Sequence, residues 1–133
     1  MIPTTSYGLH KLVDLPYEDA VTQITEALKL EGFGVLTEID VQTTMKKKLD
    51  LDMARYVILG ACNPTLAHQA LEAEYTAGLL LPCNVIVYED ETTGKTGVSI
   101  LNPATLTQLS QSEGVHAVAE EANERLERVL ANV

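Results

Sequence analysis

Tryptophan is absent and phenylalanine occurs once, so the core of this 133-residue chain has to be built from Leu, Val, Ile and Ala. Cations are scarce too. Nine Lys and Arg stand against nineteen Asp and Glu, a net charge of −10. A surface of that sign repels phosphate backbones, and the one basic run, Lys46-Lys47-Lys48, is too short to outweigh it. Nucleic acid and anionic membranes are therefore not expected partners. Long apolar runs are missing as well. The longest, Gly78–Val87, is broken by Pro82 and Asn84 and falls far short of the roughly 20 residues a membrane span needs. The first residues, MIPTTSYGLH, lack the basic start and apolar run of a signal peptide. Cysteine is limited to two residues, which together with the missing export signal points to the cytoplasm and reduced thiols. Repeats, low-complexity tracts and Gly/Ser linkers are also absent. One domain over residues 1–133 is expected, with its core between about 7 and 131.

What is present is a mixture of helix and strand patterns. Tyr7–Leu15 alternates as a strand, with Lys11 interrupting its apolar side. Pro16 opens a helix whose buried stripe is Val21, Ile24, Ala27 and Leu28, and Gly32 is a left-handed cap. Phe33–Val41 reads as a strand with Phe33, Val35, Thr37, Ile39 and Val41 on one face. A short polar helix at Thr43–Leu49 and a strand at Arg55–Cys62 follow. Asn63-Pro64 starts another helix, with Asn as cap and Pro as first helical residue. Val85–Tyr88 and Thr96–Leu101 form a hairpin around Thr93-Gly94. Asn102-Pro103 repeats the helix-start device. After Gly114 a last helix buries Val115, Val118, Ala122, Leu126 and Val129. Five strands and five helices mixed without strict alternation indicate an α+β fold.

The stretches EGFGVLTEIDV (31–41), LGACNPTLAHQAL (59–71) and LLLPCNVIVYE (79–89) resemble a family known as domain of unknown function three hundred and two. The likeness extends from about Tyr7 to the last helix. It implies a curved, mostly antiparallel sheet with helices packed on it, similar to the TATA-binding-protein-like class. It also implies a homodimer. It implies no activity, cofactor or catalytic residue.

Both cysteines are followed by asparagine, Cys62-Asn63 and Cys83-Asn84. If the strands bearing them were parallel, the two would lie about 25 Å apart at opposite ends of the sheet. If the strands are antiparallel neighbours, both lie at one end, and the family likeness favours that case. Cys62 would then feel the start of the next helix. With Cys83 and His68 it would supply three ligands for zinc or another thiophilic metal, although the spacing matches no zinc motif. The simpler reading makes both cysteines small buried hydrophobes, with Asn63 a helix cap, Asn84 a backbone partner and His68 a surface residue.

Glu38 and Asp40, two apart on a strand, share a face and could do acid–base work or hold a hard cation, or they simply face water. Arg55 could hold an anion; pairing with a carboxylate such as Glu38 or Asp40 is the expectation. Gly32-Phe33-Gly34 follows a helix instead of preceding one, so it is no phosphate loop. Nucleotide and hydrolase motifs are missing.

Three functions remain open. The expected one is a non-catalytic module binding a small ligand or partner between sheet and helices. The others are a thiol- or metal-dependent site on Cys62 and Cys83, and a purely structural or assembly role. Leu36, on the polar face of its strand, and the two edges of an open sheet suggest dimerisation through an edge or by helix exchange.

Overall fold

A computed structural model describes residues 5–133. The strands are β1 (Gly8–Val13), β2 (Gly34–Asp40), β3 (Tyr56–Cys62), β4 (Cys83–Glu89) and β5 (Thr96–Leu101). They form one open sheet in the order β1-β5-β4-β3-β2, and every neighbouring pair is antiparallel. The helices are α1 (Tyr17–Leu30), α2 (Val41–Leu49), α3 (Pro64–Ala73), α4 (Ala104–Leu109) and α5 (Glu113–Ala131). A 3-10 turn over Tyr75–Leu80 follows α3. The architecture is α+β, as the sequence pattern indicates, with the antiparallel sheet that the family resemblance implies. Among the described residues, no helix is long and apolar enough to cross a membrane.

One face of the sheet carries Val57, Leu59, Val85, Val87, Val98 and Ile100, all buried. Against it pack Ile24 and Leu28 of α1, Leu66 and Ala70 of α3, Leu106 of α4 and Leu126 and Val129 of α5, in one apolar cluster. The absent tryptophan is thus replaced by branched aliphatics, at about 1.5–3 kcal/mol for each large side chain fully withdrawn from water. The α5 stripe read from the sequence is buried throughout. By contrast α2 buries none of its residues.

Caps explain most boundaries. Asn63 Oδ1 accepts the Leu66 N–H at 3.2 Å, Asp40 Oδ1 the Thr43 N–H at 2.9 Å and Ser112 Oγ the Val115 N–H at 3.3 Å. At the end of α1, Gly32 has φ +84° and donates to Lys29 O at 3.0 Å, while Phe33 donates to Leu28 O at 2.9 Å. That paired closure is the left-handed ending a glycine permits. Lys11, which broke the apolar alternation of β1, reaches the last carbonyls of the chain: its Nζ donates to Leu130 O at 3.0 Å and Val133 O at 2.6 Å. A cation there complements the negative end of α5.

Three expectations are corrected. A bulge between Val35 and Thr37 places an extra residue, Leu36, in β2. Val35 lies opposite Ala61 on the helical side, while Thr37 and Ile39 lie opposite Gly60 and Ile58 on the other side. The face expected for Phe33 through Val41 is therefore split, as a bulge demands. Gly114 lies inside α5, since the Ser112 cap starts the helix earlier. Gly114 is needed there because a Cβ would press on that of Ala73. Finally, α3 ends at Ala73, before the expected stop at Gly78, and the chain continues as the 3-10 turn.

Candidate functional site

The antiparallel pairing of β3 with β4 sets Ala61 opposite Cys83, so both cysteines lie at the same end of the sheet. The two-residue pleat nevertheless turns them apart. Cys83 belongs to the helical face and is 7% exposed; Cys62 is half-buried on the other face, opposite Gly34. Both are free thiols. Burial pushes the Cys83 thiol up to about 11, and the nearby Cys62 adds to the rise. A thiol held neutral in this way is a small hydrophobe, not a nucleophile.

His68 is not brought to the pair. Its side chain is 74% exposed on α3, with Nδ1 3.1 Å from Glu72 Oε1 one turn on. Among the described residues, no group of three His, Cys, Asp or Glu side chains is arranged to hold a metal ion. Asn63 does more than cap α3: its Nδ2 also donates to Glu31 O at 3.4 Å. Asn84 is exposed on the outer face of the sheet beside Gly60.

The cysteines instead share the wall of a cavity of about 400 Å³. It lies where the ends of β2, β3 and β4 meet α3, the 3-10 turn and α5. Phe33, Leu66, Ala70, Leu80, Leu106 and Val118 are among its lining residues. No Asp, Glu, Lys, Arg or His lines it. The polar residues that border it are Thr37, at its margin, Asn63, whose amide is already used in the cap, and the two cysteines. The space exists because α3 presents alanines, Ala67 and Ala70, where the facing strands also end in small residues, Ala61 and Cys62.

The cavity's frame is braced by a joint the sequence reading missed. Glu31 O, at the end of α1, accepts from Asn63 and from Arg125 Nη1 at 2.9 Å. The Glu31 carboxylate takes two bonds from Arg128, at 3.0 and 2.9 Å, and these hold its pKa below the usual carboxylate value. Arg128 thus ties α5 to α1, while Asn63 ties α3 to the same turn. Helical spacing put Arg128 on the polar face, and only the approach of α1 supplied a partner.

The second candidate region lies at the opposite end of the sheet. Glu38 and Asp40 share a face, as expected, and both are exposed. Asp40 is the α2 cap, and the Thr43 N–H lowers its pKa. Together with Arg55 they surround Tyr17. Burial raises the Tyr17 phenol first, Asp40 adds to the rise, and Arg55 opposes it. The expected pairing of Arg55 with Glu38 or Asp40 is not found. Arg55 Nη2 meets Glu89 Oε2 at 3.1 Å, Nη1 binds Glu18, and the guanidinium lies 4.6 Å from the centre of the Tyr17 ring. Glu89, from the next strand in the sheet, and Glu18, from the start of α1, reach the cation first. These residues border an open trough of about 930 Å³ that also includes Asp14, Asp52, Asp90 and Glu91. Its other cation, Lys95, lies 3.3 Å from Asp14. With both cations engaged, the trough offers an anionic ligand no free partner.

Comparison with known proteins is consistent with this architecture. A family model described as "Domain of unknown function DUF302" matches residues 9–133. A similar solved structure is the "uncharacterized conserved protein DUF302 from Bacillus stearothermophilus", 28% identical, covering 96% of this chain and 98% of that chain, with a TM-score of 0.87. No curated protein matches the chain.

Proposed function

The chain belongs to the DUF302 family, and since that family's description states no activity, we propose a function from the chain's own geometry: it is a binding module that holds a small, uncharged, apolar molecule in the cavity at the α3 end of the sheet. The observation that carries this reading is the lining. About 400 Å³ is within the usual range for small-molecule sites. A charged ligand group there would be desolvated with no ionic partner, a cost of several kcal/mol. A hydrocarbon or aryl skeleton would meet aliphatic walls. The reading is non-catalytic: Cys83 is held as a neutral thiol, and His68 and Glu72 stand in solvent on the far side of α3. It places the chain in the cytoplasm, where two free thiols stay reduced.

The test uses matched pairs of ligands, an alcohol and a carboxylic acid on the same apolar skeleton, scored by thermal shift and calorimetry. Neutral members should raise the melting temperature, by about 2.7 kcal/mol of stability at a hundredfold excess over Kd. The acids should do little. Ala70→Leu, which puts a side chain into the cavity, should abolish the effect. The reading fails if no neutral member binds, or if binding survives Ala70→Leu.

A further inference from the structure

The cavity beside α3 is bordered by two kinds of side chain that differ from its leucines. One kind is small. The sheet contributes Ala61, α3 contributes Ala67 and Ala70, and α5 contributes Ala122. Ala61 stands in a row across the sheet between Val35 and Cys83, with neighbouring strands about 4.8 Å apart. Methyl groups therefore border the space from the sheet and from the helices. They give walls of low relief, on which a flat ring makes contact over its whole face.

The other kind is polarisable. Phe33, the one phenylalanine of the chain, is 3% exposed and borders the cavity. Cys83, 7% exposed, borders it from the next strand but one. Among the described residues, no hydrogen bond engages the Cys83 thiol, which is free. Burial keeps that thiol protonated. A weak S–H donor without a partner thus lines an apolar cavity that also carries an aromatic ring. The face of an aromatic ring accepts such a donor, and the Phe33 ring favours a second ring set edge-to-face or offset against it.

We propose that the ligand of this cavity carries a neutral aromatic ring, selected over saturated skeletons by the Cys83 sulfur and the Phe33 ring. The inference rests on the reading of the cavity as a site for a small apolar molecule and narrows its chemical class. A saturated ring of the same carbon skeleton is buried equally well, but it neither accepts from the S–H nor offers Phe33 a complementary charge distribution. Transfer from water alone favours the saturated ring, which has more apolar surface. A preference for the aromatic ring therefore reports the sulfur and Phe33, because burial by itself has the opposite sign.

The test compares benzyl alcohol with cyclohexylmethanol, which share a head group and a carbon skeleton, by titration calorimetry on the full chain. Benzyl alcohol should bind roughly fivefold more tightly or better. Cys83→Val removes the sulfur and keeps an apolar side chain, and Phe33→Leu removes the ring. Each should lower the affinity for benzyl alcohol and bring the ratio of the two affinities to about one or below. Two measurements on the wild-type chain stand even where a variant does not fold. Pentafluorobenzyl alcohol has a similar outline, but fluorine inverts the charge distribution of its ring, so it should lose the advantage. In Raman spectra the Cys83 S–H stretch should move to lower frequency with benzyl alcohol and stay in place with cyclohexylmethanol. Cyclohexylmethanol binding as tightly as benzyl alcohol overturns the proposal while leaving the cavity a binding site, as does a preference that survives fluorination or Cys83→Val. If neither alcohol binds, the reading of the cavity fails and this one falls with it.

Discussion

Replacing Ala70 by leucine should stabilise the protein, although it enlarges a residue only 3% exposed. In a filled core that change forces neighbours apart and costs about 1–3 kcal/mol. Ala70, however, borders the 400 Å³ cavity. Leucine adds three carbons, and burying each withdraws about 0.8 kcal/mol of apolar surface from water, about 2.4 kcal/mol in all. Ordering the leucine side chain takes back about 0.5–1 kcal/mol. Helix propensity is nearly unchanged between the two residues. The net expectation is a gain of about 1.5 kcal/mol, read as a higher urea midpoint with the same slope. The unchanged slope matters, because it shows that the unfolded state was not the thing altered. A loss of more than about 1 kcal/mol would refute the reasoning: the space beside α3 would then be too narrow for a side chain, and for a ligand as well.

Two further outcomes follow from other parts of the molecule. The folded state raises the Cys83 thiol from 9.0 to about 11, so the fold favours the neutral form; that stability is complete below the unfolded value and is lost as pH rises through about 11. Alkaline unfolding of wild type and Cys83→Ala should therefore diverge above about pH 9, with the variant less pH-sensitive, and mass spectrometry should find Cys83 alkylated only on unfolding. Gly97→Ala places a Cβ against the Tyr88 ring; it should cost about 1–3 kcal/mol by chemical denaturation and weaken the coupling of that ring to Tyr56, stacked on it at 5.9 Å, in near-ultraviolet circular dichroism.

Much of the fold was legible because local rules and tertiary needs agree. The Asn63-Pro64 start, the Gly32 ending and the α5 stripe each depend on a few neighbouring residues, and each is where the pattern put it. The bulge at Leu36 was not legible. Alternation in the sequence continues through it, and only the pairing with Gly60 and Ala61 reveals the extra residue. Arg55 shows the same limit for charge. The sequence pattern suggested Glu38 or Asp40, and two other carboxylates thirty-four and thirty-seven positions away supply the bonds instead.

The candidate site divides along the same line. Sequence alone determined the α+β class, the aliphatic core and the acidic surface. These rest on composition, on periods of 2 and 3.6 residues, and on short-range caps. Tertiary structure decided that the pleat turns the cysteines to opposite faces, that Arg128 braces a helix joint, and that a cavity remains beside α3. Cavities and faces arise from which distant segments become neighbours, and a strand carries its own alternation but no record of what lies beside it.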